Sequence, residues 1–259
     1  MTNKKIVLLC QDCDSTNIVY NALITKFNFE YVICEKAPSR RLLIKRRCQK
    51  LGVFRVIGQL FFQVIIQKLL RYAASDRIEE ILRMNNLNKQ PIEKVKMDFV
   101  NSVNSEHVIK LLQKIMPDII VINGTRIINE SVLTCVSSTF INTHMGITPK
   151  YRGVHGAYWA LINNDKNNCG VTVHLVDKGI DTGNIIAQST IEITRLDNFA
   201  TYPYLQISKA IPLLLATIED IYYNSGNKIA VINNNLESIL WYHPTIWEYC
   251  YFRIYKGIK

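Results

Sequence analysis

The chain has 259 residues, 48% of them hydrophobic and 20% charged, which excludes a disordered tail and allows one large domain or two small ones. Its 31 lysines and arginines outnumber its 21 aspartates and glutamates, so the formal net charge is +10. Residues 36–75 hold ten of the basic residues and no acidic residue, so the rest of the chain is electrically balanced. The excess charge favours an anionic partner for one segment of the chain.

The N-terminal residues predict no secretory signal, because the apolar run Ile6–Cys10 is too short for the hydrophobic part of a signal peptide. Seven scattered cysteines favour a reducing compartment over a disulfide framework and predict a cytoplasmic protein. The pair Cys10 and Cys13 has no second pair and no nearby histidine, so we predict no metal site.

Short apolar runs rich in β-formers alternate with helical patterns along the chain. The strand–helix–strand order at the start is typical of a parallel sheet in an α/β fold. Residues 225–259, rich in asparagine and aromatic residues, predict strands or loops. The other predicted elements are, in chain order, strand 5–10, helix 16–27, strand 29–35, helices 39–51, 53–72 and 75–85, extended segment 98–103, helix 106–116, strands 118–123, 139–142 and 171–176, and helix 201–224.

The predicted helix 53–72 is apolar except for a polar stripe that recurs every four residues, at Arg55, Gln59, Gln63, Gln67 and Arg71. We expect a helix buried on most of its surface, in the core or against a partner subunit. The arginine and glutamine side chains argue against a transmembrane span. A peripheral membrane contact through 39–72, with the basic helix 39–50 on anionic lipid, is an alternative, and a solvated basic face is another.

The densest polar cluster lies between residues 142 and 183, where glycines are also concentrated. Asn142 and His144 stand two residues apart at the carboxyl end of a predicted strand, so their side chains share one side, at the edge where open α/β sheets bind ligands. Asp181 follows in a glycine-rich loop. Such a set suits acyl transfer, with histidine as base, asparagine facing the developing negative charge and aspartate orienting the histidine. From spacing alone, a structural histidine and an ordinary turn remain alternatives.

Five linked motifs carry a resemblance to a known family: Pro117-Asp-Ile-Ile-Val, Asn142-x-His144, Pro149-Lys-Tyr151-Arg152-Gly153, Gly170-Val-Thr-Val-His174 and Asp177-x-Gly-x-Asp181-Thr-Gly183. In order and distance they resemble the formyltransferases that use N10-formyltetrahydrofolate as co-substrate. The resemblance implies a Rossmann-like, mostly parallel α/β sheet. It further implies a catalytic domain at 1–195 with a basic and apolar helical insertion at 36–90, and a small C-terminal extension at 196–259.

The resemblance implies a catalytic triad of Asn142, His144 and Asp181. It places the folate beside the loops after two strands, with the contacts Thr125, Arg126, Ile127 and Asp177. Arg126 could instead be a solvated loop charge, and His174 is expected to pack beneath the site. The expected acceptor contacts are Tyr151, Arg152, Trp241 and Tyr242. The C-terminal aromatic residues, which include Trp247 and Tyr249, would stack on a nucleotide base, or else belong to the core or a dimer interface.

The sequence also bears on which member of the family the chain resembles. Glycinamide ribonucleotide transformylase holds a phosphate on a glycine-rich first loop, whereas residues 10–16 here contain no glycine and two carboxylates. Methionyl-tRNA formyltransferase has a basic C-terminal domain, whereas residues 182–259 are not strongly basic. The preferred prediction is therefore a sugar N-formyltransferase.

Its expected acceptor is a nucleotide-linked 4-amino-4,6-dideoxyhexose, of the GDP-perosamine or dTDP-4-amino-4,6-dideoxyglucose type, used for surface polysaccharide such as O-antigen. The family also implies a homodimer, and no nucleic-acid partner is expected. The methionyl-tRNA and glycinamide ribonucleotide activities remain alternatives. A non-catalytic nucleic-acid-binding protein is a remote one.

Overall fold

The computed structural model describes residues 4–223, 231–232 and 234–259. A seven-stranded sheet has the order β3-β2-β1-β4-β5-β7-β8, and β6 pairs separately with β9. The strands from β3 to β5 are parallel, whereas β7 and β8 are antiparallel, so the predicted α/β fold with a mostly parallel sheet is confirmed. The strands are β1 Ile6–Gln11, β2 Phe29–Glu35, β3 Asp98–Val100, β4 Ile119–Asn123, β5 Thr139–His144, β6 Arg152–Gly153, β7 Gly170–Leu175, β8 Ile185–Thr190 and β9 Leu240–Trp241.

Helices cover both faces of the sheet. A π-helical segment, Phe62–Ile66, connects the helix Val53–Phe61 directly to the helix Gln67–Ala73, so that the three form one continuous helix. The helices are α1 Asp14–Leu23, α2 Arg40–Leu51, α3 Val53–Phe61, α4 Gln67–Ala73, α5 Ser75–Met84, α6 Glu106–Ile115, α7 Glu130–Leu133, α8 Gly156–Ile162, α9 Tyr202–Tyr223 and α10 Ile246–Tyr255.

The central strand β1 is buried on both faces, as a strand between two helical layers requires. Ile6 and Leu8 belong to a core cluster that includes residues of α1, α5 and α9, whereas Val7 and Leu9 belong to a second cluster with residues of α6. This burial explains why the strand reads as a continuous apolar run and why its parallel neighbours do the same.

Helix α9 shares a core with the strands of the predicted catalytic domain. Its residues Ile207, Leu214 and Ile218 are buried in the same cluster as Ile6 of β1 and Val173 of β7. The boundary after residue 195 stays a prediction, but the apolar residues on its two sides are packed together.

Helix α10 differs from the expectation of strands or loops at the C-terminus. Thr245 accepts a hydrogen bond from the backbone N–H of Glu248, whose carboxylate accepts from the backbone N–H of Thr245. This capping box satisfies two donors that the start of a helix otherwise leaves unpaired. Residues 225–230 and 233 of the same predicted segment, and residue 224 at the end of the predicted helix 201–224, lie outside the described residues.

The rod Val53–Ala73, formed by α3, the π-helical segment and α4, turns its apolar side outward. It is the one helix in the described part of the chain that is long and apolar enough to cross a membrane, and only 22% of it is buried. The expectation of burial in the core of this chain is therefore wrong, whereas burial against a partner subunit stays a prediction. Its exposed side, which we call the apolar face, consists of Val53, Phe54, Ile57, Phe61, Val64, Ile65, Leu69 and Tyr72.

Candidate active site

The three residues of the predicted triad meet at the carboxyl ends of the parallel strands. Asn142 and His144 lie near and at the end of β5, and antiparallel pairing with β7 sets them opposite His174 and Thr172. Residues opposite each other in an antiparallel pair have neighbouring side chains, so β7 supplies two more polar groups to this edge. Asp181 reaches the same place from the loop after β7.

His144 is buried and has an oxygen acceptor at each ring nitrogen. Its Nε2 lies 2.7 Å from the carbonyl oxygen of Tyr151, and its Nδ1 lies 3.2 Å from Oδ2 of Asp181. Burial lowers the pKa of His144, and this effect exceeds the opposing influence of the Asp181 carboxylate and the Tyr151 carbonyl. The ring is therefore neutral at pH 7, with Nε2–H donating to Tyr151 and with acceptors placed to stabilise a second proton.

Asp181 is held as a carboxylate in a strained backbone conformation. Its φ of +51° lies in the left-handed region, and its Oδ2 accepts a 3.0 Å hydrogen bond from the backbone N–H of Gly153. Burial acts to raise the pKa of its carboxyl, but the imidazoles of His174 and His144 and the N–H of Gly153 outweigh burial and keep that pKa below its usual value. Such strain is typical of functional sites.

His174 fixes the side chain of Asn142. Its Nδ1 lies 2.7 Å from the carbonyl oxygen of Leu175, so Nδ1–H donates there and leaves Nε2 to accept from the Asn142 amide at 3.2 Å. The asparagine amide keeps its second N–H for another partner. Sequence reasoning assigned His174 to packing, and the alternation of Thr172 and His174 along β7 was the signal of its position.

The loop after His144 is fixed from below by Thr172. The hydroxyl of Thr172 donates to the carbonyl of Gly146 and accepts from the backbone N–H of Thr148. A Cβ on Gly146 would lie 2.3 Å from the Tyr151 carbonyl oxygen and 2.8 Å from Nε2 of His144. Glycine at this position therefore permits the contact between His144 and Tyr151.

A cavity of about 540 Å³ opens beside the triad, and we call it the first cavity. Asn142, His144 and Asp181 line it, and so do all four predicted folate contacts, Thr125, Arg126, Ile127 and Asp177. The predicted catalytic and folate residues are thus brought together around one space, of a size typical for small-molecule ligands.

Two of the predicted folate contacts also hold the loops in place. Arg126 forms an ion pair with the buried Glu35 at the end of β2, so its guanidinium is not a freely solvated charge. The Asp177 carboxylate accepts from the Gly179 N–H at 3.0 Å and from the Thr182 hydroxyl at 2.7 Å. Their side chains shape the cavity wall, and the backbone groups of the same loops remain the contacts that a flat polar ligand could reach.

The predicted acceptor contacts lie outside the first cavity. Tyr151 has no exposed surface, its hydroxyl donates to Asp165, and its main-chain carbonyl is the part that reaches the site. Trp241 stacks against Tyr151 at 5.9 Å and donates to the carbonyl of Lys150. Tyr151 is fully buried and Trp241 is partly buried, neither side chain lines the first cavity, and their contact with the acceptor stays a prediction.

The other two predicted acceptor contacts, Arg152 and Tyr242, make contacts within the chain, and their role in binding the acceptor stays a prediction. Arg152 donates to the carbonyl of Ile180 and so supports the loop that carries Asp181. Tyr242 lies beneath the ammonium of Lys50, 5.3 Å from its ring centroid. Neither Arg152 nor Tyr242 lines a described cavity next to the triad, and Tyr249 is buried in an aromatic core cluster.

A second cavity, of about 390 Å³, adjoins the first, and the two share Ser15, His155 and Pro203 as lining residues. Arg71 lies at its wall, where its guanidinium contacts the Asp14 carboxylate at 2.6 Å and the Tyr204 hydroxyl at 3.2 Å. Sequence reasoning could not predict this cavity, because its residues come from α1, α4, α9 and the loop before α8.

The sequence profile described as Formyl transferase matches residues 73–204, which is half of the chain and includes every residue of the triad. The chain belongs to the formyl transferase family. Family members are enzymes that use N10-formyltetrahydrofolate as co-substrate.

Relatives with different names share this region. Methionyl-tRNA formyltransferase of Pelotomaculum thermopropionicum is 37% identical over 110 residues, which are 42% of this chain and 35% of that protein. The bifunctional polymyxin resistance protein ArnA of Wigglesworthia glossinidia brevipalpis is 30% identical over 156 residues, which are 60% of this chain and 24% of that protein. The matched segments thus span 35% and 24% of the length of these two relatives, well under half of each.

A solved structure, a sugar N-formyltransferase from Shewanella sp FDAARGOS_354, superposes with a TM-score of 0.56 at 15% sequence identity. The superposition covers 92% of this chain and 76% of the Shewanella chain. This likeness shows that the two proteins have the same fold.

The lining of the first cavity fits the family's co-substrate. Apolar residues, among them Ile122 and Val176, line it together with the main chain of the loop 124–128. A ligand with a flat ring and polar edges would bury its faces against the apolar residues and reach the backbone groups of the loop with its edges.

Proposed function

We propose that this protein transfers a formyl group from N10-formyltetrahydrofolate to the amine of a nucleotide-linked amino sugar, a 4-amino-4,6-dideoxyhexose of the kind used in surface polysaccharide. The observation that carries the proposal is the arrangement of two adjoining cavities, with the triad in the wall of the first and Arg71 in the wall of the second. The proposal includes a cytoplasmic, homodimeric enzyme, as the family resemblance implies.

The first step assigned to residues of this chain is the transfer of a proton from the acceptor amine to His144. The co-substrate supplies the formyl carbon that the amine attacks. Because Nε2–H of His144 is committed to the Tyr151 carbonyl, the amine proton enters at Nδ1, on the side shared with Asp181. The Tyr151 carbonyl and the Asp181 carboxylate then both accept hydrogen bonds from the imidazolium, which offsets the cost of placing a charge in this buried site.

Asn142 and Asp181 complete the reaction. The free N–H of the Asn142 amide, whose other N–H is held by His174, donates to the formyl oxygen as negative charge develops there. The new bond joins the amine nitrogen to the formyl carbon, and the bond between that carbon and N10 breaks. The proton held between His144 and Asp181 passes to N10, so the transfer balances without any other reactant.

The second cavity is the proposed place of the acceptor. Its volume suits part of a small molecule, and it joins the first cavity beside the triad. The Arg71 guanidinium can bind a phosphate with two parallel hydrogen bonds, exchanging Asp14 for the ligand. This placement differs from the C-terminal aromatic site that the sequence suggested.

A methionyl-tRNA acceptor is the second candidate. Several curated relatives are named methionyl-tRNA formyltransferase, and the cations of α2 are exposed and available to phosphates. In that case the second cavity would receive only the aminoacyl end of the tRNA, and α2 would contact the tRNA phosphates. The affinity for the tRNA would then fall steeply as salt is added.

The experiment that separates the candidates supplies N10-formyltetrahydrofolate with each acceptor in turn. The panel contains dTDP-, UDP- and GDP-linked 4-amino-4,6-dideoxyhexoses and charged initiator methionyl-tRNA. We expect transfer to one of the nucleotide sugars and inhibition of that transfer by the matching free nucleotide. Formylation of methionyl-tRNA with no sugar product would overturn the sugar proposal and select the second candidate.

A further inference from the structure

The rod Val53–Ala73 turns its polar side toward the protein and its apolar side outward, the opposite of most surface helices. Gln59, in its polar stripe, is fully buried, donates to the carbonyl of His243 at 2.7 Å and accepts from Arg47 at 2.6 Å. Gln67 and Arg71 of the same stripe line the second cavity. Because the polar residues face the protein, the apolar face is left to the outside.

The apolar face is broad and continues onto α10. Phe54 is 74% exposed and stacks on Trp247 of α10 at 4.5 Å. Beyond Trp247, α10 exposes Tyr251, Ile254 and Tyr255. An exposed apolar surface on this scale marks a docking site, and tyrosine and tryptophan side chains at its margin are typical of membrane–water interfaces.

Charge identifies the occupant of this surface. No residue of α2 is buried, and α2 packs beside α3, where Arg47 donates to Gln59. Five exposed cations of α2 form no ion pair within the described part of the chain: Arg40, Arg41, Lys45, Arg46 and Lys50. Lys68 is exposed among the residues of the apolar face itself. A second copy would bring two such positive segments together, so charge favours a negatively charged partner.

We propose that the apolar face and α2 dock this protein on the surface of a bilayer that contains anionic phospholipid. The rod lies in the plane of the interface, its apolar face among the acyl chains and its basic neighbours among the headgroups. It does not span the bilayer, because the buried Gln59, hydrogen-bonded to the His243 carbonyl and to Arg47, ties its other side to the protein. The second cavity, lined by Gln67 and Arg71, then opens close to the membrane surface.

The test measures flotation of the full chain with vesicles of phosphatidylcholine mixed with phosphatidylglycerol, and with vesicles of phosphatidylcholine alone. We expect binding to the mixed vesicles that weakens as salt is added, and little binding to the neutral ones. The double variant Val64→Glu and Leu69→Glu should weaken binding about tenfold or more, because it places charges in the apolar face.

The matched control makes the same two changes at exposed residues elsewhere, Val95→Glu and Leu196→Glu, and should bind as the parent does. Substituting Arg40, Arg41, Lys45 and Arg46 by glutamine should weaken binding by about fivefold for each charge removed. No binding of the parent to mixed vesicles, or equal loss with the control, would overturn the proposal. A dimer in solution that the Val64→Glu and Leu69→Glu variant disrupts, without vesicle binding, would assign the surface to a second copy. Flotation uses no substrate, so it is independent of the proposed formyl transfer.

Discussion

His144 lies between two fixed oxygen atoms, and this determines how it can act as a base. The Tyr151 carbonyl and the Asp181 carboxylate are already in place before a proton arrives, so little reorganisation accompanies its uptake. The motif around Asn142 and His144 predicted the position of the proposed base from the sequence. The acceptor at Nε2 could not be foreseen, because it is a main-chain carbonyl seven residues away, brought close by a loop that needs Gly146.

The first prediction concerns the triad. His144→Ala should lower kcat by about 100-fold or more, the usual contribution of a positioned general base. Asp181→Asn should also lower kcat strongly while keeping the fold, because asparagine tolerates the left-handed backbone found at this position. Turnover and thermal unfolding of both variants provide the check. His107→Ala, at an exposed histidine, is the control that should leave both properties unchanged.

The second prediction concerns pH. Because burial lowers the pKa of His144, its neutral form persists below the ordinary histidine value of about 6.5. The value of kcat should therefore stay level from pH 7 into mild acid and fall only as the pH drops through the lowered pKa. Asp181 raises the pKa of His144, so the acid limb of the residual activity of Asp181→Asn should lie at still lower pH. An acid limb above pH 6.5 in the parent would contradict the role of His144 as the buried base.

Among the elements, the loop 145–151 places the Tyr151 carbonyl against the ring of His144. The third prediction tests Gly146 in this loop. Gly146→Ala should lower kcat by about tenfold or more, because its methyl group would displace the Tyr151 carbonyl or the His144 ring. Gly52→Ala is the matched control, since it meets open space but has a positive φ. The control should lose some stability and keep its kcat. If the two variants showed equal kcat values, the loop would have no positioning role.

The fourth prediction concerns the start of α10. Thr245→Ala removes a capping hydrogen bond and should lower the free energy of unfolding by about 1 kcal/mol. Ser39→Ala changes the residue before α2, whose side chain makes no capping hydrogen bond, and should have almost no effect. Urea unfolding of both variants gives the comparison. A similar loss in both would mean that the capping box does not stabilise α10.

The same elements show what sequence can predict. Strand β2 lies where it was expected, at 29–35, because an apolar run between turn signals has few alternatives. Helix α10 was missed because its many aromatic residues suggested strands, although Thr245-x-x-Glu248 is a recognisable capping signal. The side of the 53–73 rod that faces inward could not be read locally, since its partners, the His243 carbonyl and Arg47, lie on other elements.

At the scale of the whole molecule, the chain divides into a balanced catalytic part and a positive, exposed helical part. The second cavity lies where these parts meet, since Gln67 and Arg71 of α4 line it and it adjoins the first cavity, which holds the triad. In the proposed reaction, the loops at the strand ends would hold the folate, and α4 would help to hold the acceptor beside it.

The fifth prediction follows from that division. Each ligand should stabilise the protein separately, by about 2.7 kcal/mol at one hundred times its dissociation constant. Arg71→Ala should remove the increase in Tm caused by the matching nucleotide and keep the increase caused by a folate. Thermal unfolding with each ligand tests this. If Arg71→Ala abolished both increases, or neither, the placement of the phosphate at Arg71 would be contradicted.

The most direct test of the account follows a labelled formyl carbon from N10-formyltetrahydrofolate to the acceptor by mass spectrometry. Parent protein, Asp181→Asn and the exposed-histidine control would be compared under the same conditions. The account predicts a nucleotide-linked N-formylamino sugar that carries the label in the parent and the control, and almost none in Asp181→Asn. Label on the sugar amine at the parent's rate in Asp181→Asn, or no labelled sugar from the parent with any nucleotide, would contradict it.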